Sequence, residues 1–266
     1  MSTGIGYFFG LRGGVDWFVL LHTILGTALI ASGTAALNQW YEREADAKMR
    51  RTSRRPIPSG QIAPPRALVF GIFLSVAGFA ELACGANLLT ASLGLFALLS
   101  YLFLYTPLKQ KSKHSTTIGA ITGAMPPLIG YAAASDTLAA EAWVLYAILF
   151  IWQFPHFYSI AWLYREDYAR AGIRMLPVVE PDGESTARQI LFFSLLLIPV
   201  SLLPAWLSMT GWLYLAGAAA LGSYFLAASI RAARTRTLAH ARGVLLASVC
   251  YLPLLYGLLL LDRPRL

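Results

Sequence analysis

Three oxygen-bearing side chains, Asn38, Glu42 and Asp46, recur every fourth residue in the string Asn-Gln-Trp-Tyr-Glu-Arg-Glu-Ala-Asp. On an α-helix a four-residue step rotates by only about 40° and rises about 6 Å, so the three line one face over roughly 12 Å. They start at the end of an apolar run, where a carboxylate is costly unless it is paired or holds a cation. Oxygen ligands on a semi-rigid face suit Mg2+, which takes few protein carboxylates and completes its shell with water and phosphate oxygens. Taken alone, the trio fits equally well a helix end frayed into water with solvated acids. The next residues favour the metal. Lys48, Arg50, Arg51, Arg54 and Arg55 follow directly, then Pro56 and Pro58-Ser59-Gly60. Acids that hold a metal beside bases that hold phosphate oxygens make a natural site for a metal–diphosphate. The prolines end the helix and define the basic stretch as a loop. The chain has neither GxxxxGK[ST] nor GxGxxG, so a nucleotide P-loop and a dinucleotide fold are excluded.

The elements that position these residues belong in a membrane. Of 266 residues, 57% are hydrophobic and only 13% are charged, and mean hydropathy is +0.60. Soluble domains carry about 25% charged residues, so this surface is not one that faces water alone. Apolar runs long enough to cross a bilayer stand near 16–40, 65–87, 90–108, 116–135, 141–163, 187–208, 211–230 and 242–261, eight in all. The first ten residues are apolar and too short to span; they read as a short interfacial segment or as the end of a shortened helix. The fold class is therefore an all-α integral membrane helix bundle, eight full spans plus a shortened first helix, with residues 1–266 as a single domain.

Charge gives the orientation. Eighteen of the 21 Lys and Arg fall in the loops after the first, third, fifth and seventh spans; only Arg12, Arg263 and Arg265 fall on the other side. The positive-inside rule puts the basic face in the cytoplasm, and it accounts for most of the net charge of +8 without a nucleic-acid partner. The opposite loops, near Asn87–Leu88, Asp136–Ala140 and Met209–Gly211, are so short that the spans they join must be antiparallel neighbours. Two longer loops on the basic face, 41–64 and 164–186, hold nearly all the polar residues, which is where function concentrates. Cys84 and Cys250 lie in apolar runs and read as inert buried thiols. His22 in its apolar stretch reads as structural, His114 and His240 as solvated, and Glu81 has no partner legible in the sequence.

The pattern N-x-x-x-[DE]-x-x-x-D followed by RRTxxRPxPSG resembles the intramembrane aromatic prenyltransferases of the UbiA superfamily. Tyr105-Thr-Pro-Leu-Lys109, Gly123-Ala-Met-Pro-Pro-Leu-Ile-Gly130, Trp152-Gln-Phe-Pro-His156-Phe157 and Asp167-Tyr-Ala-Arg-Ala-Gly172-Ile-Arg-Met-Leu-Pro177 look like its protoheme IX farnesyltransferase branch. The match is specific over about residues 20–180; the last three helices match in hydropathy only. The resemblance implies a bundle of nine helices, the first shortened here. It also implies transfer of a farnesyl group from farnesyl diphosphate to a vinyl group of haem B, in a site open sideways to the lipid bilayer.

By that resemblance Mg2+ sits on Asn38, Glu42 and Asp46, and Arg51, Arg55 and Lys109 neutralise the diphosphate. Most of the superfamily has a second Asp-rich motif, and this chain lacks a complete one. From His156, helical spacing gives Ile160 and Tyr164, so Asp167 is taken as the remaining acid of the second site. His156, Tyr105 and Phe157 are the candidates for the acceptor pocket, with Tyr101, Tyr131, Phe154 and Tyr158 as further aromatic faces for an allylic cation. His156 has four readings: an iron contact, a hydrogen bond to propionate or diphosphate, an acid/base, or a satisfied structural histidine. The branch usually has an Asn near Ser115, absent here. The resemblance places the protein in a prokaryotic plasma membrane or a mitochondrial inner membrane, basic loops on the cytoplasmic or matrix side. It points to haem A synthase and terminal-oxidase assembly factors as partners. Two other readings compete: a UbiA-type enzyme acting on a quinone precursor or chlorophyll-like ring, and a transporter. A transporter's site belongs near the bilayer midplane, whereas this trio sits at a helix end beside a basic loop.

Overall fold

The computed structural model describes residues 1–263, and all regular elements among them are helical; Arg265, counted above on the sparsely charged side, lies outside them. The short helix α1 (Ser2–Gly10) precedes α2 (Trp17–Tyr41) and α3 (Arg43–Lys48). After the first polar loop come α4 (Pro64–Gly85) and α5 (Leu88–Ser100), which runs through a π-helical turn at Tyr101–Tyr105 into α6 (Thr106–Lys111). Next are α7 (Ser115–Gly123), α8 (Met125–Ser135) and α9 (Ala140–Leu163). The second polar loop holds α10 (Arg165–Arg170) and α11 (Leu176–Val179), and α12 (Glu184–Trp206), α13 (Trp212–Thr235) and α14 (Leu238–Leu261) close the chain.

Local chemistry sets several of these boundaries. Asp16 caps α2 by accepting from the Phe18 and Val19 N–H groups, and Asn87 caps α5 through Thr90. Pro64 and Pro65 open α4, where a missing N–H costs nothing. Asp136 ends α8 in the left-handed region at φ 52°, a conformation an acidic residue tolerates better than most.

Among the described residues seven helices are long and apolar enough to cross a membrane: Trp17–Tyr41, Pro64–Gly85, Leu88–Lys111, Ala140–Leu163, Glu184–Trp206, Trp212–Thr235 and Leu238–Leu261. The remaining expected span, 116–135, is two shorter helices broken at Ala124. Pro126 and Pro127, just past Met125, lack N–H groups and cannot continue the ladder of α7. The broken segment is enclosed rather than lipid-facing: α8 packs on α1, α2, α5 and α9, and Met125 and Pro127 to Ala133 are all buried.

The first ten residues form a helix packed into the bundle. Helix α1 lies in α8's groove so closely that a Cβ on Gly6 would strike the Pro127 carbonyl and one on Gly130 the Thr3 carbonyl. Two apolar cores result. One joins α9, α12, α13 and α14 around Leu145, Ile148, Tyr214 and Tyr251; the other joins α2, α4, α5 and α8 around Ile30, Leu82 and Leu128.

Two sequence expectations change here. Cys84 and Cys250 are free, but both are exposed on the outside of the bundle; in a membrane that outer surface is the apolar one. Glu81 does have a partner, His22, whose Nδ1 is 2.6 Å from Glu81 Oε1 between α4 and α2. His240 makes exposed contacts with Thr235 and Thr237 at the α13–α14 turn.

Candidate active site

The helix carrying the trio is interrupted at Glu42, which lies between α2 and α3. The interruption does not break the stagger. The Glu42 N–H donates to the Asn38 carbonyl and the Asp46 N–H to the Glu42 carbonyl, both at 2.8 Å. The three side chains therefore share a face, as the spacing predicts, and they are 8%, 5% and 1% exposed. A frayed, solvated helix end is excluded by that burial.

Buried carboxylates need partners, and each has one. Lys109 Nζ lies 3.0 and 3.2 Å from the two Glu42 oxygens, while Asn38 Nδ2 donates to Glu42 Oε2 at 2.9 Å. Arg55 donates to Asp46 Oδ2 at 2.7 Å. The other Asp46 oxygen, Oδ1, is buried and has no hydrogen-bond partner.

The π-helical turn brings Lys109 to Glu42. A wider turn adds a residue to the helix without ending it, so Tyr101, Tyr105 and Lys109 all face the same space, with Lys109 Nζ 4.5 Å from the Tyr105 ring centre and 5.8 Å from that of Tyr101. Thr106 sits at the end of this turn. Its hydroxyl is 2.9 Å from the Tyr101 carbonyl and 3.0 Å from Asn38 Oδ1. Sequence reading passed over Thr106; its position before Pro107 at a helix irregularity is the signal that finds it.

The two polar loops pack on each other. Ala45 and Met49 from the first meet Tyr168, Ala171, Ile173 and Met175 from the second, with Ala161 of α9 beside them. Asp167 locks this contact: it accepts from the Arg51 backbone N–H at 3.2 Å and pairs with the Arg170 guanidinium. The Arg51 side chain turns the other way, 3.3 Å from the Tyr168 hydroxyl and 5.1 Å from the Tyr164 ring centre.

These residues enclose a cavity of about 220 Å³. Its lining includes eight of the ten residues predicted from sequence: Asn38, Glu42, Asp46, Arg51, Arg55, Lys109, Tyr105 and Phe157. Tyr101, Thr116, Tyr168 and Met175 also stand in the wall. An apolar cavity of about 280 Å³ between α2, α5 and α8, lined by Ile30, Ala31, Ala97, Met125 and Ile129, adjoins it at Tyr101.

Two predicted residues stand elsewhere. Asp167 lies behind Arg51 and holds the loop instead of facing the trio. His156 points at α14: its Nδ1 is 2.8 Å from Ser248 Oγ and its ring stacks on Trp152, 4.6 Å centre to centre. Phe157 and Ile160, on the same helix, do reach the cavity, whereas His156 is absent from its lining. Of the other aromatic candidates, Tyr131 faces Glu141 and Phe154 stacks on Phe193.

The donor set fits Mg2+. It offers an unpartnered buried carboxylate oxygen on Asp46, a second carboxylate and an amide oxygen, all hard ligands. Among the described residues no three His, Cys, Asp or Glu side chains gather to hold a metal alone. That suits an ion completed by substrate oxygens and water.

Residues 1–256 match the UbiA prenyltransferase family. A protoheme IX farnesyltransferase of Solibacter usitatus is 64% identical, covering 100% of this chain and 94% of its own. One from Koribacter versatilis is 47% identical, covering 99% and 88%. In fold, a UbiA homologue from Aeropyrum pernix superposes with a TM-score of 0.77 at 16% identity, covering 98% and 95%. A UbiA homologue from Archaeoglobus fulgidus bound to DMAPP and Mg2+ gives 0.66 at 15%, covering 97% and 93%. The chain is an integral membrane protein of the UbiA prenyltransferase family.

Proposed function

We propose that the protein transfers a farnesyl group from farnesyl diphosphate to a vinyl group of haem B, giving haem O, in a plasma membrane with its basic loops in the cytoplasm. The names of its relatives support the acceptor. The observation that carries the chemistry is the cavity in which Asn38, Glu42 and Asp46 meet Lys109, Arg51 and Arg55.

Asn38, Glu42 and Asp46 would hold Mg2+, which when bound supplies a Lewis acid for the departing diphosphate. Lys109 and Arg55, now counter-ions of Glu42 and Asp46, are within reach of the same space and take up diphosphate oxygens. Their charge offsets the negative charge that grows as the C1–O bond breaks and its electron pair leaves with the diphosphate. The apolar cavity beyond Tyr101 takes the prenyl tail. The Tyr101 and Tyr105 rings face the allylic C1 cation, which their π faces stabilise, and the enclosure keeps water from quenching it early. The haem vinyl group supplies the electron pair for the new C–C bond. Water then adds to the resulting carbocation and loses a proton, leaving the hydroxyethylfarnesyl group.

The test is turnover in detergent of haem B, farnesyl diphosphate and Mg2+, read by mass spectrometry for a haem heavier by a farnesyl group and a hydroxyl. Product that disappears in Asp46→Ala supports the reading. Turnover with a quinone precursor and none with haem B would keep the metal–diphosphate chemistry and overturn the acceptor.

A further inference from the structure

A second cavity, about 460 Å³, opens at the same end of the bundle and shares Arg51 as a wall with the site just described. Arg50, Arg165 and Arg170 line it together with Trp162 and Tyr164, and Glu166 and Asp167 are the acids on its wall. The charges are not equivalent. Arg170 is committed to Asp167, and the Arg51 guanidinium to Tyr168 and the Tyr164 ring. Arg50 and Arg165 have no carboxylate partner among the described residues. Trp162 is 2% exposed, yet its indole N–H is buried without an acceptor. An orphan buried donor is uncommon in a folded protein and calls for an explanation.

We propose that this arginine pocket binds the two propionate carboxylates of the haem acceptor, through Arg50 and Arg165, and so orients the macrocycle. The inference rests on the acceptor reading above. Guanidinium forks match carboxylates with two parallel hydrogen bonds, a geometry that gives orientation as well as affinity. Haem B bears both propionates on one edge and its vinyl groups on the other pyrrole rings. Carboxylates held by Arg50 and Arg165 stand on the far side of Arg51 from the cavity that Tyr105 and Phe157 line, so the two cavities are neighbours at this end of the bundle. Glu166 repels a carboxylate that enters from its side, which narrows the approach to the arginines.

The test compares haem B with its propionate dimethyl ester, using the full chain in phosphatidylcholine nanodiscs, for the wild type and for Arg50→Gln/Arg165→Gln. The wild type is expected to use the diacid with a kcat/KM about tenfold or more above that of the diester. The double variant is expected to lose this preference while its diester turnover and its KM for farnesyl diphosphate stay within about twofold of wild type. A general structural role would lower both acceptors alike. Should the double variant fail to fold, seen as loss of diester turnover, Arg165→Gln alone carries the same comparison. A wild type indifferent to esterification, or a preference retained in the variant, overturns the proposal. So does a difference between wild type and variant that emerges only when phosphatidylglycerol is added, which makes the pocket a lipid-headgroup site. A wild type that prenylates another aromatic acceptor and neither porphyrin overturns the acceptor reading itself, an outcome distinct from the others.

Discussion

Lys109 and Glu42 stand 67 residues apart in the chain, yet the lysine ammonium contacts both oxygens of the carboxylate, at 3.0 and 3.2 Å. With side chains only 11% and 6% exposed, this is a buried ion pair. Removing one partner strands the other charge, at a cost of about 3–5 kcal/mol. Lys109→Met and Glu42→Gln should each lower the unfolding midpoint of the solubilised protein. The double variant should recover most of the stability and none of the activity, because the pair holds the fold together and in the proposed reaction also serves the diphosphate.

Asp46 Oδ1 is the one carboxylate oxygen of the trio left free. Diphosphate with Mg2+ should therefore stabilise the wild type, by about 2.7 kcal/mol at a hundredfold excess over Kd. Asp46→Asn keeps the size and loses the charge. It should abolish that stabilisation and reduce turnover by at least about a hundredfold. Thermal unfolding with and without the ligand pair reads the first effect, and product formation the second.

The Thr106 hydroxyl fixes the Asn38 amide oxygen. Partners behind a metal ligand typically contribute about 10- to 100-fold in metal affinity. Thr106→Val should raise the Mg2+ concentration needed for half-maximal turnover by that order, and Thr106→Ser should restore it. A purely structural role would instead lower the rate at every Mg2+ concentration.

Gly130 lies against the Thr3 carbonyl and Gly6 against that of Pro127. Neither contact has room for a methyl group, and overpacking typically costs about 1–3 kcal/mol. Gly130→Ala should detach α1 from α8 and expose Tyr7, now 1% exposed. Protease cleavage near residues 11–16 would report it.

Lys113 pairs with Glu180 across the two sides of the basic face at 2.6 Å, and its hydrogen bond, with that of Ser185, holds the Glu180 carboxyl below its ordinary value. A lowered folded-state value means that the pair contributes fully above the ordinary glutamate pKa of about 4.3 and is lost as pH falls through the lowered one. Proteolysis of the 111–115 turn should be flat from pH 7 to about 5 and rise below about pH 4. In Glu180→Gln it should lose that pH dependence.

The membrane class, seven of the spans and the gathering of eight of the ten predicted residues around one cavity were legible in the chain because they rest on local rules. Apolar length defines a span, and the four-residue step from Asn38 to Asp46 holds wherever backbone hydrogen bonds keep that stagger, even through the irregularity at Glu42. The prolines after Ala124 were equally visible, but their effect on 116–135 was not. Hydropathy measures the total apolar content of a segment and is blind to a break that neighbouring helices satisfy.

What the sequence determined by itself was which residues are chemically competent and which helices carry them. Only the tertiary structure decided which face each side chain takes. His156 and Phe157 are adjacent in sequence, yet a helix turns about 100° between neighbours, so Phe157 enters the cavity while His156 binds Ser248. Asp167 is adjacent to Tyr168, which lines the cavity; packing of the second loop on Met49 sends the carboxylate to the backbone of Arg51. Pairings such as Glu42 with Lys109 and His22 with Glu81 join helices far apart in the chain. Spacing within one segment carries no information about a partner on another. The energy that selects these pairs, removal of buried charge from an apolar medium, exists only once the helices have packed.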